Sequence, residues 1–321
     1  MKDKILSTLE NGGEYVSGEE LSKNLGVSRT AVWKNIKALR DEGYIISSST
    51  KRGYRLEGVP DILNKQLICG GLDVSSAGTD MLILKTVDST NDEAKRMAAN
   101  GAPSGLIIAA ENQTGGKGRL GRSWCSDSGG LYFTLLLRPE LPPADIAGIT
   151  LSAGYAVCLA IREYTGLDAL IKWPNDVIIG NRKVCGILTE MAAQSDRIDY
   201  VVIGIGINVN HSEFPGEIKN KATSLFIETG ERIDRNKLFR LVIEKLDKVL
   251  GSFLFSLSAE DMEGFKDLCA TMGRRVTLER SGVTISGEAV DITSSGELVI
   301  KDDNGKEYNI NSGEVSVQGI Y

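Results

Sequence analysis

The chain has 321 residues, of which 41% are hydrophobic and 25% charged, and its formal net charge is −6. Two or three globular domains are expected at this length, whereas no apolar run approaches the roughly 20 residues that cross a bilayer. Residues 1–9 also lack the long apolar core of a signal peptide, so the sequence predicts a cytoplasmic protein without a membrane partner.

Cysteine and histidine usage limits the chemistry. The five cysteines are far apart, include no C-x-x-C pair and share the chain with a single histidine, His211. Neither a disulfide framework nor a zinc site fits this pattern, and no metal ion held by protein side chains is predicted. A catalytic triad would have to use His211, which lies in a polar stretch typical of a loop. We therefore expect free buried thiols and no triad chemistry.

Helix signals dominate the first 43 residues. Apolar residues near position 5 indicate a first helix, and Ser17 and Glu20 form a capping box that opens a second. Ser28 can cap a third helix that ends before Gly43. Its apolar residues recur at i, i+4 and i+7: Val32, Ile36 and Leu39. The spacing is that of a helix-turn-helix.

Residues 44–46 and 53–56 predict a two-stranded hairpin with a basic tip, so residues 1–60 resemble a winged helix-turn-helix domain. Residues 29–55 contain seven basic and two acidic residues, in a chain whose net charge is negative. This asymmetry favours DNA binding, and a helical domain used for protein contact is the alternative. The predicted DNA contacts are Ser28, Arg29, Thr30, Trp33, Lys34, Lys37, Lys51 and Arg52.

A glycine-rich loop follows the linker at residues 59–61 and a predicted strand (81–87), helix (91–100) and strand (106–110). The loop, T-G-G-K-G-R-L-G-R-S-W at residues 114–124, has the G-x-G-x-x-G spacing of dinucleotide-binding proteins, but it leads into the strand L-Y-F-T-L-L-L rather than a helix. A nicotinamide oxidoreductase is therefore the weakest hypothesis. Cations between the glycines favour binding of carboxylate or phosphate, and a flexible basic hairpin is the alternative.

Three further stretches add polar and basic residues. They are I-K-W-P-N-D at residues 171–176, N-R-K-V-C-G-I-L-T-E at 181–190 and V-V-I-G-I-G-I-N-V-N at 201–210. The last is a buried strand in which Gly204 and Gly206 allow close approach of a ligand or a second backbone. Taken singly, Lys172 and Lys183 are typical surface lysines, and Gly204 and Gly206 are typical packing glycines.

Together, these stretches behind a winged helix-turn-helix resemble the bifunctional biotin protein ligase and biotin operon repressor family over essentially the whole chain. The resemblance implies an α+β multidomain protein. Its central domain, residues 66–270, would be the α/β domain shared by class II aminoacyl-tRNA synthetases and biotin and lipoate ligases. Residues 271–321 would form an SH3-like β-barrel. Short strand-like runs agree: 276–278, 283–285, 288–292, 298–300 and 308–310, with turns at Ser281-Gly282, Ser295-Gly296 and Asn304-Gly305.

The resemblance also implies the chemistry. The family joins biotin to ATP, with Mg²⁺ on the phosphates, and passes biotin from biotinyl-5'-AMP to one lysine of the biotin carboxyl carrier protein of acetyl-CoA carboxylase, or of other biotin-dependent carboxylases. Such steps need charge neutralisation and alignment more than a protein nucleophile. As corepressor, biotinyl-5'-AMP would favour a homodimer on operator DNA of biotin synthesis or transport genes.

Site residues follow from the same resemblance. Arg119, Lys183 and Asp176 would be catalytic, with Asp176 orienting or deprotonating the carrier lysine. The biotin contacts would be Ser89, Thr90, Asn91, Gln113, Gly116, Lys117, Gly118, Arg119, Lys183 and Gly186. The nucleotide contacts would be Lys117, Arg119, Arg122, Trp124, Lys172, Asn175, Lys183 and Asn208. Trp124 would pack on adenine, and residues 214–224 would close over the adenylate. Because the family commonly has arginine in place of Lys117, this position keeps its charge but loses a two-pronged contact.

Two other functions remain open. A lipoate or octanoate ligase would share the central architecture, but the chain has no histidine-containing acyl-binding motif. A repressor that binds a small ligand without chemistry would release no pyrophosphate from ATP.

Overall fold

The computed structural model describes residues 1–12, 14–41, 43–58, 60–140, 146–194, 197–251, 257–280, 283–311 and 313–321. The backbone divides into two compact units, Met1–Ile62 and Leu63–Tyr321. Among the residues described, no helix combines the length and apolar character needed to cross a membrane.

The first unit contains three helices and a hairpin. The helices are α1 (Lys2–Gly12), α2 (Gly18–Leu25) and α3 (Arg29–Asp41), and the antiparallel strands are β1 (Ile45–Ser49) and β2 (Gly53–Gly58). The predicted caps are present, since Ser17 Oγ accepts from Glu20 N at 3.0 Å and Ser28 Oγ accepts from Ala31 N at 3.2 Å. The predicted apolar positions of all three helices form one buried cluster. The winged helix-turn-helix topology therefore follows from local signals.

A seven-stranded mixed sheet forms the centre of the second unit, in the order β3-β4-β5-β9-β8-β7-β6. Its strands are β3 (Asp80–Val87), β4 (Leu106–Gln113), β5 (Leu131–Leu137), β6 (Ala169–Lys172), β7 (Asp176–Ile179), β8 (Arg182–Ala193) and β9 (Ile198–Ile207). Only the β3–β4 pair is parallel among these described strands. The strand predicted after the glycine-rich loop is present as β5.

Helices cover both faces of this sheet. The helices of the second unit are α4 (Lys65–Cys69), α5 (Thr90–Ala99), α6 (Ile146–Thr165), α7 (Leu225–Thr229), α8 (Arg235–Gly251) and α9 (Ala259–Asp267). Helix α5 packs on β4, β5 and β9, whereas α6 packs on α8 and on β6 to β8. Alternate residues of β4 therefore enter different cores: Ile108 packs with α5, and Ile107 belongs to the large core that includes α6 and α8. Every residue of β5 is buried because both faces are covered.

The end of the chain forms a five-stranded antiparallel sheet, ordered β13-β12-β11-β10-β14. Its strands are β10 (Arg275–Arg280), β11 (Val283–Ile292), β12 (Leu298–Lys301), β13 (Glu307–Ile310) and β14 (Ser316–Val317). The two runs predicted within 283–292 are one strand, because Ser286 and Gly287 pair with Thr277 and Val276. Strand β14 was not predicted, and the predicted turn at residues 281–282 lies outside the described residues.

Candidate active site

The glycine-rich loop closes on itself beside the sheet. Gly118 N donates to Arg122 O at 2.7 Å, and Trp124 N donates to Gly116 O at 2.9 Å. Between them, Leu120 adopts a left-handed conformation with φ of 57° and exposes 73% of its surface. Backbone strain of this kind often occurs at ligand sites. The loop directs Arg119 and Trp124 back towards the sheet, whereas a dinucleotide loop would open a helix.

A small polar cavity of about 50 Å³ adjoins this loop. Of the predicted biotin contacts, all but Gly116 line it: Ser89, Thr90, Asn91, Gln113, Lys117, Gly118, Arg119, Lys183 and Gly186. An ideal Cβ on Gly116 would lie 2.5 Å from Trp124 O and 2.6 Å from Ser126 Oγ, so the loop's own packing requires glycine there. Whether Gly116 also contacts a ligand stays a prediction.

A hydrogen-bond network holds the polar side chains at one end of this cavity. Thr90 N and Oγ1 donate to Gln113 Oε1 at 2.8 and 3.0 Å, and Gln113 Nε2 donates to Ser126 Oγ at 2.8 Å. The fully buried Thr134 hydroxyl donates to Asn91 Oδ1 at 2.6 Å. These contacts fix the side chains that face the cavity before any ligand binds.

The sequence patterns missed Ser126, Thr134 and Glu190 as members of this network. Asn91 Nδ2 donates to Glu190 Oε2 at 2.8 Å, and Lys95 Nζ lies 2.7 Å from Glu190 Oε1. One signal was available for Thr134, because it is the single polar residue of L-Y-F-T-L-L-L and a buried hydroxyl needs a partner. No local pattern distinguishes the other two.

Two glycines of β9 and one of β8 form the floor on which side chains lie. An ideal Cβ on Gly206 would be 2.5 Å from Trp124 Nε1, and one on Gly204 would be 2.1 Å from Asn91 Oδ1. At Gly186, it would meet Trp124 Cζ3 at 2.8 Å and Lys183 Nζ at 2.9 Å. Side chains of this chain lie against these glycines, so they act as packing glycines here, and the close approach of a ligand stays a prediction. Because the cavity is far smaller than usual ligand sites, a bicyclic ligand requires Trp124 or Lys183 to move.

A second, larger cavity of about 570 Å³ adjoins the first. The predicted nucleotide contacts other than Lys117 line it: Arg119, Arg122, Trp124, Lys172, Asn175, Lys183 and Asn208. The predicted covering segment also forms part of its wall through Phe214 to Ile218, Lys221 and Ala222. Lys117 instead lines the smaller cavity and pairs with Asp92 at 2.6 Å. The larger cavity has the volume of a typical cofactor or nucleotide site.

Cations converge where the cavities meet. Arg119 and Lys183 line both cavities, and Lys183 Nζ lies 2.6 Å from Asp176 Oδ1. Arg119 donates to Asn175 Oδ1 at 2.7 Å and to Gly313 O at 3.0 Å. Burial lowers the pKa of the Arg119 guanidinium, an effect that the nearby Asp176 carboxylate opposes. A half-buried cation at this junction interacts strongly with any anion that enters.

Two more cations line the larger cavity. Burial lowers the pKa of the Lys172 amine, whose Nζ lies 3.9 Å from the centre of the Tyr321 ring. Arg122 Nη2 lies 2.6 Å from Glu314 Oε1, and this hydrogen-bonded ion pair raises the pKa of the Arg122 guanidinium. Glu314 and Tyr321 were not predicted as site residues, because both lie far along the chain from the last motif, which ends at residue 210. Within the described residues, no group of three or more His, Cys, Asp or Glu side chains could hold a metal ion.

The predicted DNA contacts all lie in the first unit and are exposed: Ser28, Arg29, Thr30, Trp33, Lys34, Lys37, Lys51 and Arg52. Arg29 pairs with Glu19 at 2.5 Å, and Lys37 Nζ lies 5.8 Å from the Trp33 ring centre. Arg52 lies 5.6 Å from the ring of Tyr15. Helix α3 and the hairpin tip therefore both present cations to solvent.

Comparison with known proteins identifies this arrangement. Family profiles match residues 2–55 (HTH domain), 83–208 (Biotin/lipoate A/B protein ligase family) and 271–318 (Biotin protein ligase C terminal domain). The bifunctional ligase/repressor BirA of Bacillus subtilis is 37% identical over 307 residues, which cover 95% of this chain and 94% of that relative. The chain belongs to the bifunctional biotin ligase/repressor family.

A second relative and a solved structure are also similar to this chain. The bifunctional ligase/repressor BirA of Escherichia coli is 32% identical, over 94% of this chain and 92% of the relative. The structure of the Aquifex aeolicus biotin protein ligase in complex with biotin and ATP superposes with a TM-score of 0.64 at 33% identity. It covers 75% of this chain and 99% of that one. The predicted resemblance and three-part fold class are confirmed, whereas the roles of individual site residues stay predictions.

Proposed function

We propose that this chain makes biotinyl-5'-AMP and pyrophosphate from biotin and ATP and transfers the biotinyl group to a lysine of a biotin carboxyl carrier protein. It is an ATP-dependent ligase and also a DNA-binding repressor. The observation that supports the ligase most directly is the junction of the two cavities, since Arg119 and Lys183 line both. The ligase site lies in residues 66–270, with the sheet of residues 271–321 completing the larger cavity.

In the first step, the small cavity takes the biotin ring and the larger cavity takes ATP. Ser89, Thr90 and Gln113 offer hydrogen bonds to the ring, and the hydrogen bonds between Thr90 and Gln113 orient those two side chains. The carboxylate then points to the junction, where it must approach a phosphate. Arg119 and Lys183 offset that repulsion, and their charges act more strongly once water is excluded.

The nucleotide is held from several sides. Trp124 moves off Gly186 and Gly206 to pack on adenine, and Arg122, Lys172, Asn175 and Asn208 face the phosphates and ribose. Mg²⁺ bound to ATP would neutralise charge on the phosphate oxygens. Asn175 and Asn208, which line the larger cavity, would add polar contacts to the nucleotide. Residues 214–224 close over the adenylate and exclude water.

In the second step, Asp176 orients the carrier lysine and accepts its proton, because only a neutral amine attacks the mixed anhydride. The amide forms as the acyl–phosphate bond breaks, and AMP leaves. Release of Lys183 from Asp176 when the biotin carboxylate arrives frees one carboxylate oxygen for this task. The Lys183–Asp176 ion pair therefore couples biotin binding to the availability of Asp176 as a base.

The repressor activity uses the first unit. Helix α3 enters the major groove and the cations of the hairpin tip contact phosphates. Biotinyl-5'-AMP acts as corepressor by favouring a homodimer that spans a two-fold-related operator. We place both activities in the cytoplasm, with the carrier protein and operator DNA as partners.

The ligase is tested by incubating the protein with Mg-ATP and biotin, with lipoate in a parallel reaction, and measuring acyl-adenylate and its transfer to a carrier domain. We expect biotinyl-AMP and biotinylated carrier, and loss of both in Lys183→Met. Lys65→Met is the matched control, because Lys65 pairs with Asp80 at an exposed site outside both cavities. Lipoyl transfer alone, or biotin binding without pyrophosphate release, would refute the proposal.

The repressor is tested by comparing operator binding with and without biotinyl-5'-AMP, after an operator has been selected from a random duplex pool. We expect tighter binding and dimerisation with the adenylate. Equal affinities in the two conditions would contradict this part of the proposal.

A further inference from the structure

Tyr321 reaches into the larger cavity and contacts two of its charged side chains. Its hydroxyl donates a hydrogen bond to Asp176 Oδ2, 145 positions away in sequence, and the centre of its ring lies 3.9 Å from Lys172 Nζ. Asp176 Oδ1 faces Lys183 Nζ at 2.6 Å. One oxygen of the Asp176 carboxylate therefore accepts a hydrogen bond from a neutral donor, whereas the other faces a cation in an ion pair and accepts no hydrogen bond within the described residues.

The two neighbours of the Asp176 carboxylate, Lys183 and Tyr321, act on it differently. Lys183 lines both cavities, so in the mechanism proposed above it leaves Asp176 for the biotin carboxylate. Tyr321 lines only the larger cavity, so its contact with Asp176 is kept when biotin binds. Burial, together with the adjacent Asp176 carboxylate, raises the pKa of the Tyr321 phenol, so it stays a neutral donor at all ordinary pH values. A neutral donor orients a carboxylate without the repulsion that a second cation would exert on an incoming ammonium group.

Lys172 supports the position of the ring. The Lys172 amine lies over the face of the Tyr321 ring, and the Lys172 side chain is buried in the wall of the cavity. A cation–π contact is stronger when the cation is shielded from water, so this contact helps to hold the ring in place. Removal of the hydroxyl alone leaves this cation–ring contact in place. The two functions of Tyr321 can therefore be separated by substitution.

Resting on the ligase function proposed above, we propose that Tyr321 is a positioning residue for the transfer step: its hydroxyl holds one oxygen of Asp176 so that the other accepts the proton of the carrier lysine. Tyr321 contacts neither biotin nor the reacting atoms in this proposal. Adenylate formation does not use Asp176 as a base, so it depends much less on Tyr321.

The test compares the two half-reactions in Tyr321→Phe. Adenylate formation is measured by pyrophosphate exchange, and transfer by single turnover from preformed enzyme-bound biotinyl-5'-AMP to a carrier domain. We expect transfer to slow about tenfold or more, with a much smaller change in adenylate formation. The matched control is Tyr308→Phe. The Tyr308 phenol donates to Asp302 Oδ2 at a distance of 3.2 Å, and neither residue lines a cavity. Tyr308→Phe should leave both half-reactions unchanged.

A double-mutant cycle with Asp176→Asn separates positioning from general stability. In the Asp176→Asn background, Tyr321→Phe should slow transfer no further, because the oriented base is already absent. Additive losses, equal slowing of both half-reactions, or wild-type transfer in Tyr321→Phe would overturn the role of Tyr321 while the ligase proposal stands. If the wild-type protein forms no biotinyl adenylate, the ligase proposal fails and this inference fails with it.

Discussion

The indole of Trp124 lies directly against the backbone of Gly206, so that an ideal Cβ at Gly206 would be 2.5 Å from Trp124 Nε1. That indole nitrogen is buried and has no hydrogen-bond partner among the described residues. A buried donor without a partner costs free energy that a ligand or water can recover when the indole moves. The indole is therefore closely packed on Gly206, while its N–H donates no hydrogen bond within the described residues.

Gly206→Ala should block the site. The added methyl group displaces the indole and occupies the floor on which the ligand must lie, so biotin affinity should fall by about tenfold or more. Isothermal titration calorimetry with biotin measures it. Gly154→Ala in α6 is the control, because its Cβ would meet Ile187 Cδ1 at an ordinary 3.6 Å and alanine favours helix. Unchanged biotin affinity in Gly206→Ala would show that the ligand does not use this floor.

Arg119→Lys should weaken ATP binding although the charge is kept. A lysine cannot donate in a planar fork to both Asn175 and Gly313, so the loop loses one contact to the residue before β7 and one to the segment before β14. We expect the KM for ATP in pyrophosphate exchange to rise about tenfold. Arg275→Lys is the control, since Arg275 forms a similar two-pronged contact with exposed Asp303. An effect of equal size in both variants would assign it to stability.

Glu111→Ala should destabilise the second unit strongly. Arg235, with no exposed side-chain surface, lies 2.9 Å from Glu111 Oε2, and removal of one partner leaves a buried charge. The expected loss is about 3–5 kcal/mol of unfolding free energy, against about 1 kcal/mol or less for Asp303→Ala at an exposed pair. Urea unfolding by tryptophan fluorescence in a Trp33→Phe background reports on the second unit, which holds Trp124 and Trp173. Similar losses in both variants would contradict this account.

Cys125 should react first with a thiol reagent and be protected by ligand. It is exposed and lines the larger cavity, whereas burial raises the pKa of the Cys158 thiol to about 12. At about pH 8, little Cys158 is therefore in the reactive thiolate form, and its reactivity should increase only as the pH rises towards that value. Peptide mass mapping after alkylation, with and without biotin and Mg-ATP, checks this. Cys69 lines neither cavity and serves as the internal control.

Lys34→Ala should weaken binding to a mixed-sequence DNA duplex and reduce the slope of log K against log salt by about one. Lys34 is exposed on α3, where it would contact a phosphate. Lys4→Ala, at an exposed position of α1 outside the recognition helix and hairpin, is the control. Fluorescence anisotropy over a salt series gives both slopes. Identical slopes for Lys34→Ala and Lys4→Ala would show that Lys34 on α3 does not contact a DNA phosphate.

The sequence by itself determined the first unit and the character of the glycine-rich loop. Caps at Ser17 and Ser28 and the spacing of Val32 and Ile36 act within a few residues, so they can be recognised without a fold. The loop's continuation into β5 excluded a dinucleotide site for the same reason. The family resemblance carried by the motifs then predicted a set of ligand-contacting residues, most of which line the two cavities.

Tertiary structure alone decided the contacts between distant segments. Thr134 supports Asn91, Arg235 pairs with Glu111, and Tyr321 reaches Asp176 across 145 positions. Strand β14, with two residues, was too short to show any period. Local propensity and capping act through neighbours in the chain, whereas these pairs form only after sheet register and helix packing have brought the segments together. The sequence thus specified the elements of the first unit and the side chains that could bind anions, and the fold determined how those side chains are held.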